Sequence, residues 1–161
     1  MTTDALRGQL AKLLDGVGAR MPFDEAVAHF PDDAINRRPP NVAYTPWHLL
    51  EHIRLTQVDI LEYVLVDNYV ERAWPDAFWP ARHAIATRAQ WDETISRFLA
   101  DLAALRALVL DPERDLLAVI PGTPGHTLLR EVRIVADHNA YHVGEFAILR
   151  QVMGTWPEGH E

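Results

Sequence analysis

Four of the eight histidines fall into two pairs, His48 with His52 and His138 with His142, each four residues apart. Neutral imidazole is a common ligand for zinc, nickel and iron. On a helix, residues four apart project from one face a turn apart, so two imidazoles can converge on a single ion. One such pair is a weak pattern. A second pair on another helix strengthens it, because bundle cores build metal sites from facing helices. The alternative chemistry is none: core histidines hydrogen-bonded to backbone or to Asn139 and Asp137.

The pairs act together only if the chain sets them on helices, and its apolar pattern does so. Hydrophobic residues recur at three- and four-residue steps in four stretches, with strand-like alternation nowhere sustained, so the expected fold class is all-α. The first stretch carries Leu6, Leu10, Leu13 and Val17 on one face and weakens at Gly16, Gly18 and Pro22, with a short helical continuation from Phe23 to Phe30. A loop with Pro39-Pro40 follows. Thr45-Pro46 then supplies an N-cap and a proline at the first helical position, so the second long helix runs from near Trp47 to about Val66. Thr87 to Gln90 reads as a capping box opening a third helix, which bears Trp91, Ile95, Phe98, Leu102, Leu105 and Val109 and ends before Asp111-Pro112. Thr127 caps the fourth, which should end where Gly154 can turn left-handed. Its apolar seam reads Leu128, Val132, Val135, Asn139, His142, Phe146, Leu149, Met153, with two polar residues where core belongs. Four amphipathic helices in 161 residues point to a single four-helix-bundle domain over residues 1–161. The link from Asp67 to Ala86 is long, and its Tyr69, Trp74, Phe78 and Trp79 are too aromatic for a solvated linker. It is expected to pack across one bundle end.

These placements rank the histidines. His142 lies on the seam and His138 beside it, where an unpaired polar group is costly to bury. His52 sits a turn inside its helix near Leu49, Ile53 and Thr56 on the inward side and is the favoured third ligand, completing the set His52, His138 and His142. His48, in the first turn, is expected to be exposed, with roles as a fourth ligand or a hydrogen-bonding neighbour left open. Glu145, a turn beyond His142, is either a surface residue, a ligand, or an acceptor that orients an imidazole. Asp59 lies about 10 Å along the axis from His52, beyond reach of the same ion. His48-Leu-Leu-Glu51-His52 also matches the H-x-x-E-H pattern of inverzincin metalloproteases. That pattern arises readily by chance in a His-rich helix, and those proteases are larger and use a further acidic ligand. Glu51 lies about 100° around the helix from His52 and is expected to face solvent or a partner. His29, His83, His126 and His160 lack paired spacing and read as surface or capping residues.

Composition narrows the function classes. A net charge of −8 with no basic run argues against nucleic-acid binding. With no cysteine there is no thiolate ligand and no thiol nucleophile, so any thiol chemistry needs an external thiol. The opening residues lack a leader pattern and no apolar run approaches a membrane span, so neither secretion nor a membrane partner is indicated and the cytoplasm is the expected location.

Pro46-Trp-His-Leu-Leu-Glu-His-Ile-Arg54, Asp137-His-Asn-Ala-Tyr-His-Val-Gly-Glu145 and Leu149-Arg-Gln-Val-Met-Gly154, with Trp79-Pro80 in the link, resemble the DinB/YfiT-like superfamily. The resemblance spans nearly the whole chain. It implies an up-down-down-up four-helix bundle, often homodimeric, with a divalent metal held by one histidine of the second helix and the H-x-x-x-H pair of the fourth. Carried onto this sequence, those are His52, His138 and His142; His48 departs from the simplest three-histidine pattern and leaves the second-helix assignment open. Relatives with assigned activity include transferases using bacillithiol, mycothiol or glutathione, and a mycothiol-dependent maleylpyruvate isomerase. The expected reaction is therefore metal-dependent transfer of a small-molecule thiol onto an electrophilic substrate. Zinc or nickel is the expected ion, with iron or manganese next, and Tyr44, Tyr141 or Glu145 would carry protons. Two other readings share the ligands: a hydrolase using water as nucleophile, and a non-catalytic, stress-associated bundle whose site is closed by His48 or Glu145.

Overall fold

Three of the long helices start at a threonine whose hydroxyl accepts the amide of the third helical residue: Thr45 from His48, Thr87 from Gln90, Thr127 from Arg130. Each cap satisfies an N–H that the helix leaves without an internal partner. In the computed structural model, which describes residues 2–159, these caps open α3 (Pro46–Leu65), α4 (Arg88–Leu110) and α5 (Leu128–Met153). They follow α1 (Thr2–Leu14) and the short α2 (Phe23–Val27). Gly154 ends α5 at a φ of 62°, the left-handed turn that glycine adopts without a Cβ penalty. Among the described residues the only β pairing is an isolated bridge between Val119 and Thr127, so the chain is all-helical.

The four long helices form a ring of neighbours in which α3 packs on α4 and α5, and α1 packs on the same two. Contacts advance together along α3 and α4, from Glu51 with Thr94 to Gln57 with Phe98. They run in opposite order between α3 and α5, where His52 meets His142 and Gln57 meets Asn139, and between α1 and α4, where Arg7 meets Val109 and Asp15 meets Arg106. That order is the one an up-down-down-up bundle requires. The core has two parts. One gathers Leu49, Leu50, Ile53, Trp91, Phe98 and Phe146 beneath α2. The other gathers Leu10, Leu14, Ile60, Leu105, Val109 and Val132 toward α1.

The inward face of α1 differs from the expected one. Arg7, Leu10, Ala11 and Leu14 are buried, while Leu6, Leu13 and Val17 are exposed, Val17 beyond the helix end. Arg7 accounts for the rotation: its guanidinium donates to the Val109 carbonyl in the last turn of α4 (2.7 Å) and to the Arg114 carbonyl, drawing the 7-10-11-14 stripe inward. The link between α3 and α4 packs on α3 in part through the 3-10 turn Asp76–Phe78, which buries Phe78, and leaves Trp74 exposed. Residue His160 lies outside the described residues.

Arg150 is the polar keystone of the α2 end. Fully buried, it donates to the carbonyls of Ala26 (2.7 Å), Ala28 (2.8 Å) and Thr155 (2.8 Å), with its guanidinium 3.8 Å from the centre of the Trp156 ring. Replacing it leaves buried carbonyls without donors. Arg150→Met is expected to lower unfolding free energy by about 3 kcal/mol, against about 1 kcal/mol for Thr87→Val at the α4 cap. Urea titration of both variants measures the difference.

Candidate metal centre

His52 from α3 and His138 and His142 from α5 bring one ring nitrogen each to within 4.8 Å of one another. Their local positions follow from helix geometry, since the α5 pair stacks over successive turns and α3 crosses beside it. Nε2 of His52 and Nε2 of His138 are 3.3 Å apart. Two nitrogens bound at zinc distances with a tetrahedral angle stand about 3.3 Å apart, so the spacing suits a shared ion.

The other ring nitrogens decide the tautomers. Nδ1 of His52 lies 2.8 Å from the Phe78 carbonyl, which can only accept, so Nδ1 carries the proton and Nε2 keeps its lone pair. Nδ1 of His142 lies 2.6 Å from Oε2 of Glu145, with the same result. The second Glu145 oxygen accepts the Tyr44 hydroxyl. Trp79 stacks on His52 at 3.9 Å with the rings 6° from parallel, and Tyr141 sets its ring edge-on to His142 at 4.8 Å. Two imidazoles are thus fixed in tautomer and plane before any ion arrives, as oriented metal ligands are.

The sequence profile of the DinB superfamily matches residues 17–146. The chain belongs to that superfamily. No curated protein and no solved structure matches it significantly.

Within this DinB-superfamily bundle, His48 stands apart from the three. It is 3% exposed, not the exposed first-turn residue expected from sequence, because both its nitrogens are used. Nδ1 accepts the Thr45 amide at 3.2 Å, making His48 the reciprocal half of the α3 capping box, and Nε2–H donates to the Ala84 carbonyl at 3.0 Å. No lone pair is left for a metal. Glu51 is likewise outside the group: partly buried, it pairs with Arg54 at 2.6 Å and accepts the Thr94 hydroxyl at 2.8 Å, so the H-x-x-E-H motif does not assemble. Glu145 meets the centre as an acceptor that orients His142. Asp59 lies outside the group and takes Tyr69 and Arg72 instead. His29 and His83 are exposed as expected, whereas His126 bonds Tyr63 at 2.7 Å.

Sequence reasoning missed the Phe78 carbonyl, which no side-chain pattern encodes, and the stacking of Trp79, which the aromatic link only hinted at. Beside the centre an open cleft of about 650 Å³ is lined by Tyr44, Pro75, Trp79, Pro80 and Arg82. Tyr44 and Trp79 belong to both, one through Glu145 and one through His52.

Burial pushes the His138 imidazole down to about 3, helped by the neighbouring His142 and His52, and burial also lowers His52. Glu145 is held below the usual carboxylate range, chiefly by His142, and burial with the Glu145 bond raises Tyr44 well above the usual phenol range. A base whose folded value lies below its unfolded value favours the unfolded state once protons are available, so it contributes stability at neutral pH that is lost in acid. The metal-free protein should therefore lose stability steadily as pH falls from His138's ordinary 6.5 toward about 3. Denaturant melts in chelator across that window should give a shallower slope for His138→Leu than for wild type.

Proposed function

We propose that this DinB-superfamily chain holds a divalent ion on Nε2 of His52, His138 and His142 and uses it to transfer a small-molecule thiol onto an electrophilic substrate. The observation that carries the reading is the convergence of three imidazoles with no fourth protein ligand beside them. His48 is committed to the α3 cap and to Ala84, and both Glu145 oxygens already accept hydrogen bonds. Among the described residues no other His, Asp or Glu joins the group. An open coordination position separates catalytic from structural sites and speaks against a closed, purely structural ion.

Three imidazoles suit zinc or nickel, with iron or manganese next. When bound, the ion supplies a Lewis acid that makes a thiol or water nucleophilic at neutral pH. The chain's residues orient and shield. Phe78 and Glu145 hold two ligands in the required tautomer, and Trp79 covers His52 against water. With Glu145 held ionised and Tyr44 held protonated, that pair fixes His142 and does not itself titrate near neutrality. The apolar cleft walled by Tyr44 and Trp79 would seat the electrophile. Because the chain has no cysteine, the sulfur must come from a cosubstrate. The same ligands with water in place of thiol would make a hydrolase.

Metal analysis of untagged protein should find about one ion per chain, retained in His48→Gln and lost in His52→Ala, His138→Ala and His142→Ala. Equal content in all of them would sink the ligand assignment. Glu145→Gln should weaken metal binding by about 10- to 100-fold. For the reaction, metal-loaded protein is mixed with glutathione, bacillithiol or mycothiol and the electrophile monochlorobimane. Accelerated thioether formation that chelator abolishes supports transfer; no rate above the uncatalysed one with any thiol points to the hydrolase or to a structural ion.

The reading also carries a homodimer. On α5, Tyr141, Ile148 and Val152 lie exposed at helical spacing, an apolar stripe suited to a second copy. Sedimentation equilibrium should give twice the chain mass, falling to one for Ile148→Glu.

A further inference from the structure

Of the two polar residues on the apolar seam of α5, His142 belongs to the metal centre and Asn139 is left over. Asn139 is 2% exposed, in the turn before His142 and next to His138. Its Nδ2 donates to Oε1 of Gln57 at 2.9 Å, and Gln57, 1% exposed, donates through Nε2 to the Phe98 carbonyl in α4 at 2.7 Å. The direction of these bonds is fixed from one end. A backbone carbonyl can only accept, so Gln57 gives its NH2 group to Phe98 and turns its oxygen to α5, where a donor must meet it. The α4 backbone thus holds Gln57, and Gln57 holds Asn139. Two hydrogen bonds tie three helices together about 7.5 Å along α3 from His52.

Stability does not account for this pair. Two buried amides that bond each other add little over apolar side chains of the same shape, because both give up hydrogen bonds to water in order to meet. What their bond supplies and an apolar contact does not is position. The α5 seam steps by four and three residues in strict alternation from Leu128 to Met153. A slip of one turn, about 5.4 Å, therefore lays apolar residues over the places of other apolar residues everywhere except around Asn139 and His142. A hydrogen bond of 2.9 Å does not survive such a slip. The metal centre depends on the same register, since Nε2 of His138 stands 3.3 Å from Nε2 of His52. Fixing the register of packed helices is the best-attested use of a buried polar residue.

We propose that Gln57 and Asn139 are positioning residues of the metal centre: their hydrogen bond sets the register of α5 on α3, and with it the spacing of His138 and His142 against His52. This role rests on the reading of those three imidazoles as the metal ligands. Neither amide is itself a ligand; both act through the helices they join.

The test compares wild type with the apolar pair Gln57→Met/Asn139→Leu and the exchange Gln57→Asn/Asn139→Gln, all as untagged full chains. Zinc affinity is measured by competition with a chromophoric chelator, and the urea midpoint on metal-free protein. The apolar pair is expected to keep a midpoint at or above wild type while binding zinc about tenfold more weakly. The exchange conserves the summed side-chain length and one amide-to-amide bond, and should stay within about threefold of wild type. Because the chain has no cysteine, nitroxides attached through Leu65→Cys on α3 and Gln151→Cys on α5, both exposed, read the register without any metal. Pulsed electron paramagnetic resonance should give one narrow distance in the wild-type background, broadened or shifted by up to about one turn, 5.4 Å, in the apolar pair. The proposal is overturned if that distance is unchanged, if the apolar pair binds zinc as tightly as wild type, or if the exchange weakens zinc binding as much as the apolar pair does. It is overturned equally by a urea midpoint well below wild type in the apolar pair, which would make the amides a stability element. A wild type that binds no zinc sinks the ligand reading and the positioning role with it, whereas tight binding shared by wild type and apolar pair sinks the positioning role alone.

Discussion

Each imidazole has two nitrogens, and what one of them does determines what the other can do. Much of this bundle's functional end follows from that constraint. The Phe78 carbonyl and the Glu145 carboxylate each take an Nδ1–H, and so turn two Nε2 lone pairs toward a common point. His48 spends both nitrogens on backbone groups and drops out. Of the four paired histidines, three thus converge and the fourth does not. The choice is made by two backbone carbonyls, a backbone amide and one carboxylate.

The same economy explains why the link between α3 and α4 matters more than its irregular conformation suggests. It supplies the Phe78 carbonyl, the Trp79 ring over His52 and the Ala84 carbonyl that holds His48. Without the link His52 and His48 would lose the carbonyls that fix their rings, while His142 would keep Glu145. Burial supplies the other half of the effect, since His138 sits where a positive charge is disfavoured and the imidazole stays neutral, the form that can bind a metal.

Much of this was legible in the sequence because caps and apolar periods are local. Thr45, Thr87, Thr127 and Gly154 mark helix ends through their own side chains or their lack of one, and the structure begins and ends the helices there within a residue. The i, i+4 histidines were legible for the same reason. What failed to show were non-local partners. The rotation of α1 depends on Arg7 reaching carbonyls about a hundred residues away, and the burial of His48 depends on Ala84, contacts that leave no trace in a helical period. The helix angle of Glu51 left solvent and a partner open, and only the fold supplies the partner, Thr94 of α4.

The histidine at the start of α3 carries a consequence for how such a site can evolve. A fourth imidazole lies one turn from the centre and looks like a ready route to a closed, structural ion. Yet recruiting it would strip the reciprocal half of the cap from α3 and leave the Ala84 carbonyl without its donor, so tighter coordination would come at the expense of helix initiation. Losing an imidazole from the group takes one substitution, whereas adding His48 to it takes both a new cap for α3 and a new donor for Ala84. The folding of α3 itself thus keeps His48 out of the group.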